Sequence, residues 1–293
     1  MKFRRKNFSF CILAILFFLN IISWIIVWDL NSAQALEVNF LNVGQGDATF
    51  MVSPQNHQIL IDGGPDSTIL EKLAKEMPFW DRTIDLIILT HPEKDHLTGL
   101  IEVLKRYKIE NILWTGVVRD TSEYREWLNL IEKEGAQIKI AKAGQKIKLS
   151  PLNPDKSIYF DILLPFADVS GQEIKNSNDT SIVTKLVFKN TAFLFTGDIS
   201  SNGEEKLISA NLRLESDVLK VSHHGSKYST SENFLENVLP EIAVIQVGEN
   251  SYGHPTPEVL ERLEKFGIKV LRTDLNGDIK IISNGKDYGI SNF

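Results

Sequence analysis

From residue 36 onward, short apolar runs alternate with amphipathic stretches. Leu36–Val43, Ala48–Val52 and Gln58–Ile61 read as successive strands separated by turns, and Ser67–Glu76 as a short helix. Ile84–Thr90 is an Ile-rich apolar run, the pattern of a strand buried on both faces. Leu97, Leu100, Ile101 and Leu104 fall at i, i+3, i+4 and i+7, which predicts a helix over Leu97–Tyr107. A strand at Ile109–Trp114, a helix at Ser122–Lys133 and a strand at Gln137–Ala141 follow. The second half repeats this style. Ser157–Leu164, Ser181–Phe188, Ala192–Thr196, Asp217–Ser222, Ile242–Val247, Lys269–Arg272 and Asp278–Ile282 read as strands. Gly203–Ala210, Ser231–Leu239 and Pro257–Phe266 read as helices. Ala167–Asn178 is polar and contains glycine, so it reads as a loop. Strand groups with helices in each half point to an α/β domain of two packed sheets with helices outside.

The first 35 residues follow a different pattern. Lys2, Arg4, Arg5 and Lys6 form a basic start, and an apolar stretch runs from Phe8 to Trp28. That stretch matches the ~20 residues that span a bilayer as a helix. Asn31-Ser32-Ala33-Gln34-Ala35 ends in the small-residue pattern of a signal-peptidase site. The division expected is therefore a signal peptide or N-terminal membrane anchor at 1–35 and one globular domain at 36–293. The basic start stays inside and the remainder is exported, either released or held at the outer face of the cytoplasmic membrane.

Composition narrows the chemistry. The chain of 293 residues is 43% hydrophobic and 24% charged, ordinary for a globular protein. A formal charge of −6 argues against a polycation that coats nucleic acid, and leaves room for a local basic groove. The single cysteine, Cys11, lies in the N-terminal apolar stretch. The exported part therefore has no disulfide and no thiolate chemistry, and any metal it binds must use histidine and carboxylate oxygen.

There are six histidines, and five stand beside Gly, Pro, Asp or another His at the ends of expected strands. In Thr90-His91-Pro92-Glu93-Lys94-Asp95-His96, four potential ligands sit at i, i+2, i+4 and i+5. A turn can aim such ligands as two pairs in different directions, which suits two metal ions close together. Thr196-Gly197-Asp198 places Asp198 at the end of another strand, although Gly-Asp alone is a common turn. Metal ligation gives the pair in Ser222-His223-His224-Gly225-Ser226 a purpose, since it keeps an imidazole neutral. Gly253-His254-Pro255 completes the set.

Together these residues resemble the metal motifs of metallo-β-lactamase-fold hydrolases. Val43-Gly44-Gln45-Gly46-Asp47-Ala48, Ile61-Asp62-Gly63-Gly64, His91–His96, Asn178-Asp179-x-Ser181, Thr196-Gly197-Asp198, Leu219-Lys220-Val221-x-His223-His224-Gly225-Ser226 and Gly253-His254-Pro255 are similar, in order, to the extracytoplasmic domain of ComEC-type DNA-uptake proteins. The match runs from about residue 36 to the end, without the channel-forming domains of those proteins, which implies a freestanding exported relative.

The resemblance implies a four-layer αββα sandwich with a metal site at one edge of the sheets. It assigns His91 and Glu93 to a first divalent ion, Asp95 and His96 to a second, and Asp198 as a bridge. His224 in preference to His223 would complete the second site, with Asp179 a possible further ligand. His223 would face the scissile phosphate, His254 would bind substrate or protonate the leaving group, and Asp95 or Asp198 would orient the attacking water. Glu93 departs from the usual His at its position. A carboxylate there moves the expectation from zinc alone toward manganese or magnesium, or leaves only one ion tightly held. Gly44, Gly46, Gly63 and Gly64 read as turn residues, and Asp47 and Asp62 as supports for the ligands. Lys220, Lys227 and Arg119 are candidates for a phosphate path or for solvated surface charges.

The expected function is an exported metal-dependent hydrolase, a phosphodiesterase or nuclease using metal-activated water. Its substrate would be a phosphodiester such as single-stranded DNA. The alternatives are a cell-envelope phosphodiesterase acting on wall polymers and a non-catalytic metal-binding accessory protein.

Overall fold

A computed structural model describes residues 2–31, 35–149 and 157–291. The chain divides into two compact units, Met1–Gln34 and Ala35–Phe293. The first contains helix α1 (Lys2–Asn31), on which described apolar side chains such as Phe10, Leu13, Phe17 and Trp24 are exposed. Among the described residues no helix is long and apolar enough to cross a membrane. Part of the small-residue segment expected as a cleavage site, at 32–34, lies outside the described residues.

The second unit opens with strands β1 (Leu36–Phe40), β2 (Thr49–Val52) and β3 (Gln58–Ile61), then α2 (Thr68–Glu76) and β4 (Thr83–Leu89). Next come α3 (Lys94–Leu104), β5 (Lys108–Trp114), α4 (Ser122–Glu134), β6 (Gln137–Ile140), β7 (Lys146–Lys148) and β8 (Ile158–Leu164). The later part runs through β9 (Val183–Phe188), β10 (Thr191–Phe195), α5 (Ser201–Ser209), β11 (Val218–Lys220) and α6 (Glu232–Val238). It ends with β12 (Ile242–Ile245), α7 (Pro257–Lys265), β13 (Lys269–Arg272), the single turn α8 (Thr273–Asn276), β14 (Ile279–Ser283) and β15 (Tyr288–Ser291).

The strands form two sheets. One has the order β15-β14-β1-β2-β3-β4-β5-β6, and the other β13-β12-β11-β10-β9-β8-β7. Each sheet is part antiparallel and part parallel. The parallel pairs β3–β4–β5–β6 and β10–β11–β12–β13 lie where helices carry the chain across.

The alternation of side chains explains the layering. Successive strand residues point to opposite faces, and here both faces are apolar. Met51, Ile59, Ile61, Leu86 and Ile88 pack between the sheets against Phe160, Leu186, Phe193, Phe195 and Val244. Their neighbours Phe50, Leu60, Ile87 and Leu89 face outward and are covered by Ile69 and Leu73 of α2, Leu97 and Leu100 of α3, and Trp127 of α4. On the other side, Leu194, Leu219, Ala243 and Ile245 are covered by Leu207 of α5, Phe234 and Leu235 of α6, and Val259 and Leu263 of α7. The result is the αββα sandwich.

Several boundaries differ from expectation for local reasons. The first strand ends at Phe40, before the turn at Gly44 and Gly46, whose φ values are positive. Helix α3 begins at Lys94 because Glu93 is extended and takes the N-cap position, and it ends at Leu104. Strand β11 stops at Lys220, short of Ser222, because the next residues turn sharply. β7 and β15 are edge strands of three and four residues whose inward apolar side chains, Ile147 in one and Tyr288 and Ile290 in the other, make too short a pattern to mark a strand. The expected loop at Ala167–Asn178 contains a bridge between Glu173 and Val118, and runs into a 3-10 turn at Ser177–Thr180.

Candidate metal centre

Ligands gather at one edge of the sandwich because several strands end there. β4 leads into Thr90 and His91, and the first turn of α3 carries Asp95 and His96. β3 leads into Asp62, β10 into Gly197-Asp198, and β11 into a tight turn holding His223 and His224. Three of these residues, Asp62, His223 and His224, have left-handed backbones, with φ of 56°, 50° and 54°. Non-glycine residues rarely adopt that conformation, and where they do the surrounding structure imposes it, often at functional sites.

Helix α3 is held against the Asp62-Gly63-Gly64 turn by backbone contact. Gly63 N–H donates to the His96 carbonyl at 2.8 Å, and Gly99 N–H to that of Gly64 at 2.9 Å. A Cβ on Gly99 would overlap the Gly63 carbonyl, so only glycine permits this approach.

Asp95, His96, Asp198 and His224 converge, with one ligand atom from each within 4.8 Å of the others. Asp198 Oδ2 is 3.4 Å from His96 Nε2 and 3.5 Å from His224 Nε2, and Asp95 Oδ2 is 3.2 Å from His224 Nε2. His96, His224 and Asp198 are buried, and Asp95 is a third exposed. His96 Nε2, His91 Nε2 and Asp198 Oδ1 have no hydrogen-bond partner. Unpaired buried atoms at and beside the convergent set fit a divalent cation, since buried polar groups are otherwise paired.

The opposite ring nitrogens are oriented. His96 Nδ1 lies 2.9 Å from Asp62 Oδ2, and His224 Nδ1 lies 2.8 Å from the Gln246 carbonyl, which can only accept. With Nδ1 held in this way, each Nε2 faces the cluster and would offer its lone pair once an ion displaced the second ring proton, the outer support typical of metal-binding histidines. Asp62 also accepts from the Thr90 N–H at 2.8 Å and the Thr90 hydroxyl at 2.7 Å. Because that hydroxyl is already donating, His91 Nδ1, 3.0 Å away, donates to it and presents a bare Nε2.

Electrostatics follow from this packing. Burial, with the charge of His96 beside it, pushes His91 down to about 3, so it is neutral. Burial also opposes charge on His96 and His224, but the carboxylates outweigh it, Asp198 foremost. His96 is held well above its ordinary value and His224 is pushed up to about 10. Asp198 is held well below the carboxylate range by His224 and His96 despite its burial.

A second acidic group, Asp47 and Asp62 around His96, lies behind the first. Lys220 neutralises it. Its ammonium contacts Asp47, donates to the Gly197 carbonyl at 2.9 Å and lies 3.5 Å from Asp198 Oδ1. Lys220 is 3% exposed, so the expectation that it lines a phosphate path or the solvated surface is corrected: the sandwich encloses it.

In front of the ligands a cleft of about 200 Å³ is lined by Gln45, His91, Glu93, Asp95, Asn178, Asp198, His223, His224, Tyr252 and His254. A larger cleft, about 690 Å³, opens between Leu271, Ile279 and Ile290 and contains none of the histidines. His223 lies at the mouth of the smaller cleft, 5.5 Å ring to ring from His254. Burial depresses both, His254 to about 4.

Three expected ligands, His91, Asp179 and Glu93, stand apart from the convergent set. Asp179 turns away, accepting from the Ser200 hydroxyl at 2.6 Å and N–H at 3.2 Å, while its neighbour Asn178 lines the cleft. Glu93 lines the cleft but gives Oε1 to Arg119 Nη2 at 2.7 Å and to the Ser177 hydroxyl. Arg119 is thus an ion-pair partner, while Lys227 is exposed. The oxygen-rich character first attributed to Glu93 is supplied within the convergent set by Asp95 and Asp198. Gln246 and Tyr252 escaped the sequence reading, since neither belongs to a motif, and Gln45 stood in one without a role of its own.

Residues 41–249 match the family model described as the metallo-beta-lactamase superfamily. The chain is 31% identical over 263 residues to ComE operon protein 3 of Bacillus subtilis, covering 83% of this chain and 32% of that protein. It is 32% identical over 248 residues to competence protein ComA of Neisseria gonorrhoeae, again covering 83% and 32%. It therefore spans about a third of the length of these curated relatives. The metallo hydrolase Igni18 of Ignicoccus hospitalis shares the fold, with a TM-score of 0.51, 17% identity, and coverage of 83% of this chain and 98% of that one.

Proposed function

The chain belongs to the metallo-beta-lactamase superfamily, and from that premise we propose that it is an exported metal-dependent phosphodiesterase acting on nucleic acid. The observation that carries the proposal is the convergence of Asp95, His96, Asp198 and His224 at the floor of an open cleft. A bound divalent ion would supply a water acidic enough to be hydroxide near neutral pH. No nucleophilic side chain is then required.

The protein's own groups complete the site. Asp62 and the Gln246 carbonyl fix the tautomers of His96 and His224. His223 and His254 are uncharged at neutral pH, so they offer N–H groups to a phosphate oxygen rather than a ready proton. Lys227 and the exposed rings of Tyr228 and Tyr252 lie in the segments that carry these histidines. Cations beside aromatic faces suit a single strand, whose phosphates and bases they can hold. The similarity to competence proteins supports including nucleic acid among the substrates. Export rests on the basic start and apolar run of α1, which would act as a cleaved signal or as an anchor. Protease applied to intact cells should reach the domain, and a full-length protein soluble in cytoplasm would refute export.

The net charge of −6 favours keeping a second substrate class in the test, the phosphodiesters of wall polymers. The deciding experiment offers the metal-loaded protein a generic phosphodiester, single-stranded DNA and wall polymer side by side. Cleavage of DNA well above the others supports the proposal. Cleavage of wall polymer alone reassigns the substrate, and metal binding without turnover of any of them makes the protein an accessory binder.

A further inference from the structure

We propose that the chain holds a single tightly bound divalent ion, enclosed by Asp95, His96, Asp198 and His224, and that the Arg119 guanidinium stands in for a second ion against Glu93. The inference rests on the metal-hydrolase function proposed above, and concerns how many ions that site takes and what sets the number.

The two halves of the site are unequally built. Four ligand atoms converge on the first position, and the opposite ring nitrogens of its two histidines are already held. The neighbouring position has His91 Nε2 as a ready ligand atom, while the second oxygen of Asp198 faces the Lys220 ammonium at 3.5 Å. Glu93, the next residue able to serve it, spends one carboxylate oxygen on two donors, Arg119 and Ser177. Asn178 lines the cleft where a stronger ligand would be needed, and Asp179 is committed to Ser200.

Arg119 is placed there by the fold. The loop after β5 is tied to the segment before the 3-10 turn, with Val118 N–H donating to the Gln172 carbonyl and Gly171 N–H to that of Gly116. Arg119 Nη1 also reaches the Ile174 carbonyl at 3.3 Å. The same segment delivers Ser177, so both donors reach Glu93 together. A guanidinium matches a carboxylate in shape and always carries its charge. It offers Glu93 the compensation that an ion would, with the ordering already built in.

The test is metal stoichiometry, read by elemental analysis and calorimetry on the full chain in detergent. The chain is stripped with chelator, then titrated with Mn²⁺ and, separately, with Zn²⁺. One equivalent of either ion is expected. Two equivalents in the unsubstituted chain would overturn the proposal while leaving the hydrolase function intact, whereas no binding at all would remove both. Arg119→Gln should free Glu93 and raise the capacity to two. A folded Arg119→Gln protein that still takes one ion would overturn the role given to the guanidinium. Glu93→Gln provides a check that leaves the enclosed site alone. It should keep one equivalent with affinity within about threefold of the parent, and its loss of the ion would show that Glu93 is a ligand after all.

Discussion

Asp62 offers the sharpest test of how the centre is supported. The residue is 1% exposed, and its carboxylate serves three donors: the Thr90 N–H, the Thr90 hydroxyl and His96 Nδ1. Asp62→Asn keeps the shape but replaces one acceptor oxygen with an NH2 group. If the remaining oxygen stays on the Thr90 N–H, the amide nitrogen faces His96 Nδ1. His96 must then move its proton to Nε2, which removes the lone pair that faces the ligand cluster. If the amide flips instead, the buried Thr90 N–H is left unpaired. Losing such an outer support typically costs 10–100-fold in metal affinity, or about 1.4–2.8 kcal/mol. The fold should survive. Burial already holds the Asp62 carboxyl above its ordinary range, against the pull of His96, so removing the charge returns part of a desolvation cost. Competition with a chelator of known affinity would measure the loss, with circular dichroism confirming the fold. A folded variant that binds metal within about twofold of the parent would refute the role of Asp62.

Other consequences follow from the same geometry. Asp198→Ala removes the carboxylate shared by His96 and His224, and should lower metal content and phosphodiester turnover together; retention of either at full level contradicts the assignment. In the metal-free protein the raised values of His96 and His224 mean that their protonated forms stabilise the fold fully below about pH 6.5. That contribution is lost as pH rises toward about 10 for His224, so thermal melts of stripped protein should fall across that window and metal should flatten the fall. Metal binding must displace those protons, so calorimetry in buffers of different ionisation enthalpy should show proton release. Trp127, fully buried on α4 with its ring 6.1 Å from that of Trp114, anchors one outer layer. Trp127→Ala should cost about 3–5 kcal/mol of stability, read by denaturant unfolding.

Much of the architecture was legible in the sequence, since each strand must bury its own pattern. The Ile84–Leu89 run and its counterparts are apolar on both faces, which demands cover on both sides and so predicts the layers. The ligand motifs were legible for a related reason. His91, Asp95 and His96 stand within one strand end and one helical turn, so their proximity is local. The strands β7 and β15 were not legible, because three or four residues at a sheet edge carry too short an alternation to stand out and take their pairing from a neighbour.

Local spacing placed the candidate ligands at strand ends, and the ordered motifs identified the family. Only the tertiary structure decided which of them meet. His224 reaches Asp95 across 129 positions of sequence, and its orientation comes from the carbonyl of Gln246, which no motif contains. Glu93 belongs to the same short motif as His91, yet Arg119 and Ser177 arrive from distant segments and claim its oxygen. Lys220, open on sequence grounds to a place at the surface, is enclosed between Asp47 and Asp198. The reason is physical: a covalent neighbour is set by the chain, whereas the partner of a buried charge is set by whatever packing brings to within a few ångströms of it.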